Sequence, residues 1–252
     1  MMEKINEAPK HAIKIIELHK SYGKHKVLKG INLEVFHGEI FGFVGSNGVG
    51  KSTTIDCLIG AKKFDSGQIF VNGYDIQKET YFAKRSFGYT SAEPTTYEVM
   101  TGNEYLEFIA NVYEMTENAF QSNKTFLLSK FGLSMVDMQK KISAYSHGMK
   151  QKICLMASLL YNPTIWILDE PTVGLDIIVF ETLKDMMIKF AENGGTIFIT
   201  SHNIDLVSKI CDRVSFIKDG VIANVIDLKN NPDRRYQLPR IFLNLYKEDE
   251  HK

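Results

Sequence analysis

The sequence has no surplus of charge and few cysteines, and both features narrow the classes of protein to which it can belong. Its 252 residues include 30 basic and 30 acidic side chains, so the formal net charge is zero. A broad positive field that would hold nucleic acid is therefore not expected. The three cysteines, Cys57, Cys154 and Cys211, are scattered and form no CxxC pair. This pattern favours a reduced, intracellular chain without a disulfide framework or a zinc site.

Long hydrophobic runs are also missing. The apolar segments at 40–44 and 165–168 are far shorter than the ~18 residues that a membrane-spanning helix needs. Residues 1–10 are polar and lack the apolar core of a signal peptide, so we expect them to form a loose tail. If the protein acts at a membrane, we expect it to do so from the cytoplasm and through another chain.

What the sequence does contain is an alternation of strand and helix patterns. Short apolar or β-branched segments predict strands, and segments with helical spacing follow several of them. This alternation predicts an α/β fold with a mostly parallel sheet covered on both faces. The predicted strands lie at 13–18, 27–36, 40–44, 68–71, 86–89, 165–168, 196–200, 214–217 and 221–225, and the predicted helices at 51–59, 177–190 and 203–210.

Two segments depart from the alternation. From about 91 to 160 the pattern changes to helices, which indicates a helical insertion between strands. After the last strand, residues 227–235 are polar and predict a linker. Pro239 then suits the first position of a short terminal helix.

A glycine-rich segment after the 40–44 strand matches the phosphate-loop pattern G-x-x-x-x-G-K-[ST]. Glycines permit positive φ and close approach of the backbone to a ligand, so the loop's N–H groups can form an anion nest. The following helix adds its positive N-terminal end. We therefore expect nucleotide binding here, with Lys51 on the β and γ phosphates and Ser52 on Mg²⁺. The loop comprises Gly45, Ser46, Asn47, Gly48, Val49, Gly50, Lys51, Ser52 and Thr53.

A second motif, which is acidic, follows the strand at 165–168. Asp169 and Glu170 follow four apolar residues, and in an open α/β sheet the carboxyl ends of strands face the ligand. Asp169 can then join the shell of Mg²⁺, and Glu170 can orient or deprotonate the water that attacks the γ-phosphate. A solvated turn is the alternative, which the adjacent phosphate loop disfavours.

A third motif carries a family resemblance. The segment Tyr145-Ser146-His147-Gly148-Met149-Lys150-Gln151-Lys152 resembles the signature of ATP-binding cassette (ABC) ATPases, usually written L-S-G-G-Q. We call residues 145–152 the signature. Its Y-S-x-G-M-K-Q form resembles the cassettes of two-component ABC-2 type exporters that move drugs or bacteriocins. From the residues alone, an ordinary helix cap is the better interpretation of Ser146.

The resemblance covers residues 11–226 and implies a P-loop NTPase core, an N-terminal antiparallel β portion and an α-helical subdomain inserted at about 91–160. Residues 227–252 then form a linker and a short helix. It also implies that the signature acts in trans, with Ser146, His147, Gly148 and Met149 facing the nucleotide of a second cassette. ATP would then join two cassettes, either identical or different.

Three further positions match the family pattern. Gly174-Leu175-Asp176 resembles the D-loop, which would place Asp176 at the contact between two cassettes; the alternative is a helix cap. His202 lies at the end of a strand, where the family has a switch histidine, although a lone histidine is usually structural. Tyr22 precedes the phosphate loop where the family stacks an aromatic ring on adenine; the alternative is a core or turn tyrosine.

One position departs from the pattern. The family's Q-loop glutamine, which is acidic in export relatives, would fall at Ala92, whose side chain has no oxygen for Mg²⁺ or water. Either Glu93 substitutes through a shifted loop, or this contact is missing and hydrolysis is slow.

The resemblance therefore predicts an Mg²⁺-dependent ATPase that powers transport, of the export type, through a separate membrane-spanning subunit. It implies a place at the inner face of the cell membrane. Tyr97, Val99 and Met100 are candidates for the groove that receives the permease. One alternative is a soluble cassette that acts on nucleic acid or ribosomes, although no nucleic acid is expected. The other is a regulatory or immunity subunit that binds ATP and scarcely hydrolyses it.

Overall fold

The computed structural model describes residues 10–172 and 174–246, so most of the predicted tail at 1–10 and the end of the 227–252 segment lie outside it. The described residues form ten strands, which are β1 (His11–Tyr22), β2 (His25–Phe36), β3 (Ile40–Val44), β4 (Ser66–Val71), β5 (Tyr74–Asp75), β6 (Phe87–Thr90), β7 (Ile165–Asp169), β8 (Thr196–Thr200), β9 (Arg213–Lys218) and β10 (Val221–Asp227). They also form nine α-helices, which are α1 (Lys51–Leu58), α2 (Thr80–Arg85), α3 (Gly102–Val112), α4 (Glu117–Phe131), α5 (Met135–Met138), α6 (His147–Leu159), α7 (Ile177–Glu192), α8 (Ile204–Ile210) and α9 (Arg234–Tyr246).

The first sheet is antiparallel and lies at the N-terminal side of the chain, in the order β2-β1-β4-β5. Its β2 strand alternates between buried and exposed side chains, because one face of the strand packs on the core and the other faces solvent. Asn72 and Gly73 both have positive φ, as a tight hairpin turn between β4 and β5 requires.

The second sheet has the order β10-β9-β3-β8-β7-β6, and all its neighbours are parallel except the β9–β10 hairpin. Every residue of β3, β7 and β8 is buried, which explains why these strands are continuous apolar runs in the sequence. The parallel register pairs Thr200 with both Phe43 and Asp169. The carboxyl ends of three strands therefore meet at one edge.

Two hydrophobic clusters cover the faces of this sheet. One cluster joins the sheet to α6, α7 and the helical insertion, and its centre includes Trp166, Leu168 and Phe216. The other joins the opposite face to α1 and the antiparallel sheet, with Phe41, Phe43 and Phe198 at its centre. Because one hydrophobic cluster covers each face of the sheet, the structure confirms the predicted α/β class with a sheet covered on both faces.

The helical insertion is formed by α3 to α6 between β6 and β7. Thr101 and Ser134 begin α3 and α5 with reciprocal capping boxes, and Gly132 ends α4 in the left-handed region. Phe120, Phe131 and other apolar side chains of these helices pack into the first cluster. Among the described residues, we find no helix that combines the length and the apolar character required for crossing a bilayer.

The last helix corrects one expectation from the sequence. Pro239 does not open α9 but lies inside it, because the helix begins at Arg234. The helix therefore begins inside the segment 227–235, which the sequence predicted to be a linker. A tertiary contact accounts for the additional turn: Arg235 Nη1 donates a hydrogen bond to the carbonyl of Ser208 on α8 at 2.6 Å. Local preference for proline in the first turn is outweighed by this packing.

Candidate active site

The phosphate loop connects the buried end of β3 to the first residue of α1. Gly50 (φ 111°) precedes Lys51, and Gly48 has φ 81°. A Cβ on Gly50 would lie 2.7 Å from Cδ2 of Leu28, and one on Gly45 would lie 2.9 Å from the carbonyl oxygen of Ile217. Glycine is therefore required at 45 and 50 by close packing, and at 48 and 50 by the backbone conformation.

The ammonium of Lys51 lies inside this loop. Its Nζ donates to the carbonyl oxygens of Gly45 at 2.7 Å and Ser46 at 3.0 Å. Burial lowers the pKa of Lys51, while the nearby carboxylates of Glu170 and Asp169 oppose that change. A cation held by neutral carbonyls in this position can transfer its hydrogen bonds to phosphate oxygens without moving far.

Ser52 and Thr53 occupy the first turn of α1 beyond the lysine. The Ser52 side chain is exposed and Thr53 is half-buried, so the serine hydroxyl is accessible to a ligand. Thr54 instead turns inward and donates to the carbonyl of Gly50 at 2.8 Å, which stabilises the start of the helix. The remaining loop residues, Asn47 and Val49, lie between the glycines that set the loop's shape.

Asp169 is the last residue of β7 and is buried. It accepts a hydrogen bond from the hydroxyl of Thr200 on the neighbouring strand. Burial raises the pKa of Asp169, the Thr200 hydrogen bond opposes this, and Glu170 adds to the increase. A nearby divalent cation would stabilise the ionised form of this buried carboxylate.

The donor set here fits Mg²⁺. The described residues contain no group of three or more His, Cys, Asp or Glu side chains that could hold a metal by themselves. Mg²⁺ in nucleotide sites needs only one or two protein oxygens and completes its shell with phosphates and water. Asp169 and the exposed hydroxyl of Ser52 are oxygen donors of that kind.

Glu170 follows Asp169 with φ 46°, an unusual conformation for a residue other than glycine. Its backbone N–H donates to the carbonyl oxygen of Thr200 at 3.2 Å and to the hydroxyl of Thr200 at 3.1 Å. Its carboxylate accepts from the backbone N–H of His202 at 3.2 Å and lies 2.8 Å from that residue's Nδ1. Thr200 and His202 together fix the carboxylate at the strand end.

The imidazole of His202 has an accessible second nitrogen. Its side chain is 68% exposed, while that of Glu170 is only 15% exposed. The Nδ1 atom faces the carboxylate of Glu170, so Nε2 at the other side of the ring is directed elsewhere. The structure thus brings together Lys51, Asp169, Glu170 and His202.

The signature begins helix α6. Ser146 is the N-cap residue, and its hydroxyl accepts from the backbone N–H of Met149 at 3.3 Å. Ser146 and His147 are exposed, and Gly148 and Met149 are half-buried. The cap predicted as the alternative is therefore present, and the first turn remains accessible to an anion.

Asp176 in the D-loop caps helix α7. Its Oδ1 accepts from the backbone N–H of Val179 at 2.9 Å, and its Oδ2 lies 3.9 Å from Nζ of Lys152 in the signature. The capping alternative is again observed, and it leaves the second oxygen available for an ion pair. A role for Asp176 between two cassettes stays a prediction.

Tyr22 ends β1 and has 45% of its surface exposed. Two ammonium groups lie near the ring: Nζ of Lys20 is 5.1 Å and Nζ of Lys62 is 5.7 Å from the ring centroid. An exposed ring at a strand end is not a core tyrosine, so its face can accept a planar ligand. Stacking on adenine stays a prediction.

The Q-loop region follows β6 and forms one wall of a cavity of about 530 Å³. Ala92 is half-buried and Glu93 is exposed, and the carbonyl of Glu93 accepts from the hydroxyl of Ser91. Of the proposed groove residues, Tyr97 and Val99 are exposed and Met100 is half-buried. The cavity is lined on its other sides by Asp56, Tyr89, Tyr105, Tyr113 and Tyr161, among others.

Sequence reasoning identified Thr200 only as the end of a strand. In the structure its hydroxyl and carbonyl hold both acidic residues of the site. The signal available was its place at the end of a predicted strand, immediately before Ser201 and His202. Strand order, which the sequence does not give directly, was needed to use that signal.

Most of the chain is similar to known proteins of one family. Residues 28–173 match the protein-family model described as ABC transporter. The chain is 38% identical to the linearmycin resistance ATP-binding protein LnrL of Bacillus subtilis over 80% of its own length. It is 32% identical to the lantibiotic transport ATP-binding protein SrtF of Streptococcus pyogenes over 92% of its length and 96% of that protein.

A solved structure gives the same result for the fold. The chain superposes on the structure of an ATP-binding subunit of an ABC transporter with a TM-score of 0.85 and 28% sequence identity, covering 96% of this chain and 100% of the other. The match to LnrL spans 64% of that protein, so the chain covers slightly less than two thirds of this relative's length.

Proposed function

The chain belongs to the ABC transporter family, and from that premise we propose that it binds and hydrolyses ATP to power a separate membrane-spanning subunit. The observation that carries the proposal is the grouping of Lys51, Asp169, Glu170 and His202 beside the phosphate loop. This set combines a cation for the phosphates, an oxygen donor for Mg²⁺ and a positioned carboxylate for water.

Nucleotide binding in this proposal uses the phosphate loop, the ring of Tyr22 and the carboxylate of Asp169. The loop from Gly45 to Thr53 holds the phosphates through its N–H groups and Lys51. Tyr22 stacks on the adenine ring. Ser52 and Asp169 would hold Mg²⁺, which would neutralise charge on the phosphates.

Hydrolysis depends on the carboxylate of Glu170. Its oxygen accepts from His202, so the carboxylate is held in one orientation and can accept a proton from, or orient, an attacking water. The exposed Nε2 side of His202 is available for the γ-phosphate. Positioning and electrostatic stabilisation supply most of the rate enhancement in phosphoryl transfer.

A second cassette completes each site. We propose that the accessible first turn of α6, with Ser146 to Met149, meets the γ-phosphate bound by the partner, and that Asp176 lies at the contact. The partner is either a second copy of this chain or a different ATPase subunit. ATP then stabilises the closed pair, and hydrolysis reopens it.

Export is the direction that the relatives favour. LnrL is named for linearmycin resistance and SrtF for lantibiotic transport. We propose that this chain serves an ABC-2 type exporter and is peripheral at the inner face of the membrane. The groove that receives the permease includes Tyr97, Val99 and Met100. Tyr97 lies next to the cavity beside the Q-loop, because its ring centroid is 6.2 Å from that of the lining residue Tyr105.

In this proposal, Ala92 at the Q-loop position lowers the rate of ATP hydrolysis. The half-buried methyl group supplies no oxygen at the Q-loop position, and Glu93 is exposed. Turnover is then real but reduced, since the other site residues are present. The same observation favours a second candidate, a subunit that binds ATP and scarcely hydrolyses it in a regulatory or immunity role.

A turnover assay tests the proposal. Phosphate release from Mg-ATP by the purified chain is expected to fall to background in Lys51→Met, because the variant loses the cation of the phosphate loop. Lys63→Met, at an exposed lysine after α1, serves as the matched control and should retain the rate. Binding of ATP without measurable release by the unmodified chain would favour the second candidate, and failure to bind would reject both.

A further inference from the structure

His147 in the signature packs against Gly174 in the D-loop of the same chain. Gly174 has φ 77°, and a Cβ built on it would lie 2.8 Å from Nε2 of His147 and still nearer to Cδ2. The imidazole therefore fills the space that a side chain at 174 would occupy. The carbonyl of Gly174 also lies 3.3 Å from the position of a Cβ on Gly148, so two consecutive signature residues contact the D-loop.

A second contact joins the same two segments. Nζ of Lys152 lies 3.9 Å from Oδ2 of Asp176, whose other oxygen caps α7. The side chain of Lys152 is only 16% exposed, which limits its freedom to leave this pair. The D-loop is thus held against the start of α6 at both of its ends, by His147 and by Lys152.

The D-loop is also close in sequence to the catalytic carboxylate of its own chain. Glu170 shortly precedes it and is fixed by Thr200 and His202. On the other side, α6 is buried from Ile153 onward, so its exposed first turn cannot shift independently of the helix. The contact between His147 and Gly174 therefore lies between the segment that follows Glu170 and the segment that presents the signature.

We propose that the contact between His147 and Gly174 couples the two nucleotide sites of a closed dimer. This inference rests on the proposed function, in which the signature of one subunit meets the nucleotide held by the other. Arrival of the γ-phosphate at the signature fixes the position of His147, and His147 fixes the D-loop beside the subunit's own Glu170. His147 acts here as a positioning residue, and a side chain at 174 is excluded because the imidazole occupies its place.

A double-mutant cycle tests the contact. His147→Gly removes the imidazole, Gly174→Ala introduces a Cβ in its space, and the double variant relieves the overlap. Phosphate release is measured against ATP concentration for all four proteins, to give kcat and a Hill coefficient. Gly194→Ala controls for the backbone conformation alone, because Gly194 has φ 86° and open space around its Cβ position.

We expect the two single variants to lose cooperativity, with Hill coefficients near one. Gly174→Ala should lower kcat by about tenfold relative to wild type, within the range measured for residues in direct contact. In the His147→Gly background the same change should lower kcat by only about twofold, because the clash is gone and strain at positive φ remains. Additive effects of the two substitutions would overturn the proposal, as would an unchanged Hill coefficient in His147→Gly.

The outcomes separate this inference from the function on which it rests. If wild type hydrolyses ATP cooperatively and His147→Gly does so equally, the coupling role is wrong and the ATPase assignment stands. If wild type neither binds Mg-ATP nor pairs, the proposed function fails first. His147 is exposed, so His147→Gly is expected to fold even if Gly174→Ala does not, and its Hill coefficient alone then decides.

Discussion

The Nδ1 atom of His202 lies 2.8 Å from a carboxylate oxygen of Glu170, and the backbone N–H of His202 donates to the same oxygen at 3.2 Å. Glu170 also has a left-handed backbone, which is fixed by hydrogen bonds from its N–H to Thr200. The carboxylate is therefore positioned by hydrogen bonds within the protein itself. Such preorganisation lowers the cost of reaching the geometry for hydrolysis.

Asp169 should limit the stability of the protein when Mg²⁺ and nucleotide are absent. Burial raises its pKa, so ionising it costs free energy in the folded state only. That cost is absent below the ordinary pKa of an aspartate and complete above the raised folded value. We expect Asp169→Asn to melt at a higher temperature than wild type at pH 7, with a difference that narrows as the pH falls toward about 4.

Thermal melts between pH 4 and pH 8 measure this effect. Asp205→Asn, at an acidic residue in the first turn of α8, is the control for a general change in charge. Added Mg-ATP should raise the melting temperature of wild type but scarcely that of Asp169→Asn, since ligand binding stabilises only the state that binds it. A lower melting temperature for Asp169→Asn at pH 7 would contradict the argument.

Ala92 gives a prediction about rate. Ala92→Gln places an amide at the Q-loop position, and we expect kcat to rise by roughly three- to tenfold, since one added hydrogen bond contributes about 1 kcal/mol. Ala92→Met fills a similar volume without the amide and should not raise kcat. If Glu93→Gln lowers kcat strongly in the unmodified background, then Glu93 already supplies the contact and Ala92 does not limit the rate.

Tyr22 should contribute to nucleotide affinity through its ring and not through its hydroxyl. Tyr22→Ala is expected to weaken ATP binding by about tenfold, because stacking of a base on an aromatic ring contributes about 1–3 kcal/mol. Tyr22→Phe should bind nearly as well as wild type. Tyr81→Ala removes a tyrosine of similar exposure on α2 and is the control. Equal affinities of Tyr22→Ala and wild type, measured by displacement of a fluorescent ATP analogue, would remove this role.

The end of α9 contacts β9 next to the phosphate loop. The hydroxyl of Tyr246 donates to the carbonyl of Ile217 at 2.7 Å, and Nζ of Lys218 donates to the carbonyl of Leu245 at 2.7 Å. Ile217 in turn packs against Gly45. Tyr246→Phe should lower the free energy of unfolding by about 1 kcal/mol, and Tyr236→Phe, at a tyrosine that is 89% exposed, should not. Urea titrations measure the free energy of unfolding of both variants. The comparison is valid when the slope of this free energy against urea concentration is the same for the two variants and wild type.

Several features of the fold and of the site could be predicted from the sequence because they depend on local patterns. The buried strands β3, β7 and β8 are continuous apolar runs, and the phosphate loop and signature are contiguous motifs. The predicted fold class is confirmed by the two sheets and by the structural neighbour. Short elements such as β5 and α5 were missed, because two to four residues carry no periodicity.

Contacts between distant segments could not be predicted in the same way. Thr200 holds both Asp169 and Glu170 only because β8 pairs with β7, and strand order is a property of the whole sheet. The position of Pro239 inside α9 depends on Arg235 reaching α8. The packing of His147 on Gly174 likewise joins residues from two loops, and no local pattern indicates it.

Glu170→Gln should separate ATP binding from hydrolysis. The amide cannot take a proton from water, so we expect kcat to fall at least ~10²-fold while ATP still binds. Because the nucleotide then persists, the closed pair should accumulate. Glu181→Gln, on the outer face of α7, keeps the same change in charge away from the site and should behave like wild type.

The molar mass of Glu170→Gln in solution, measured by light scattering with saturating Mg-ATP, tests the central claim most directly. We expect a dimer with Mg-ATP, and a monomer with ADP or without nucleotide. Wild type and Glu181→Gln should show little dimer once their ATP is consumed. A Glu170→Gln protein that stays monomeric with ATP bound would contradict the form of the account in which the partner that closes on the triphosphate is a second copy of this chain.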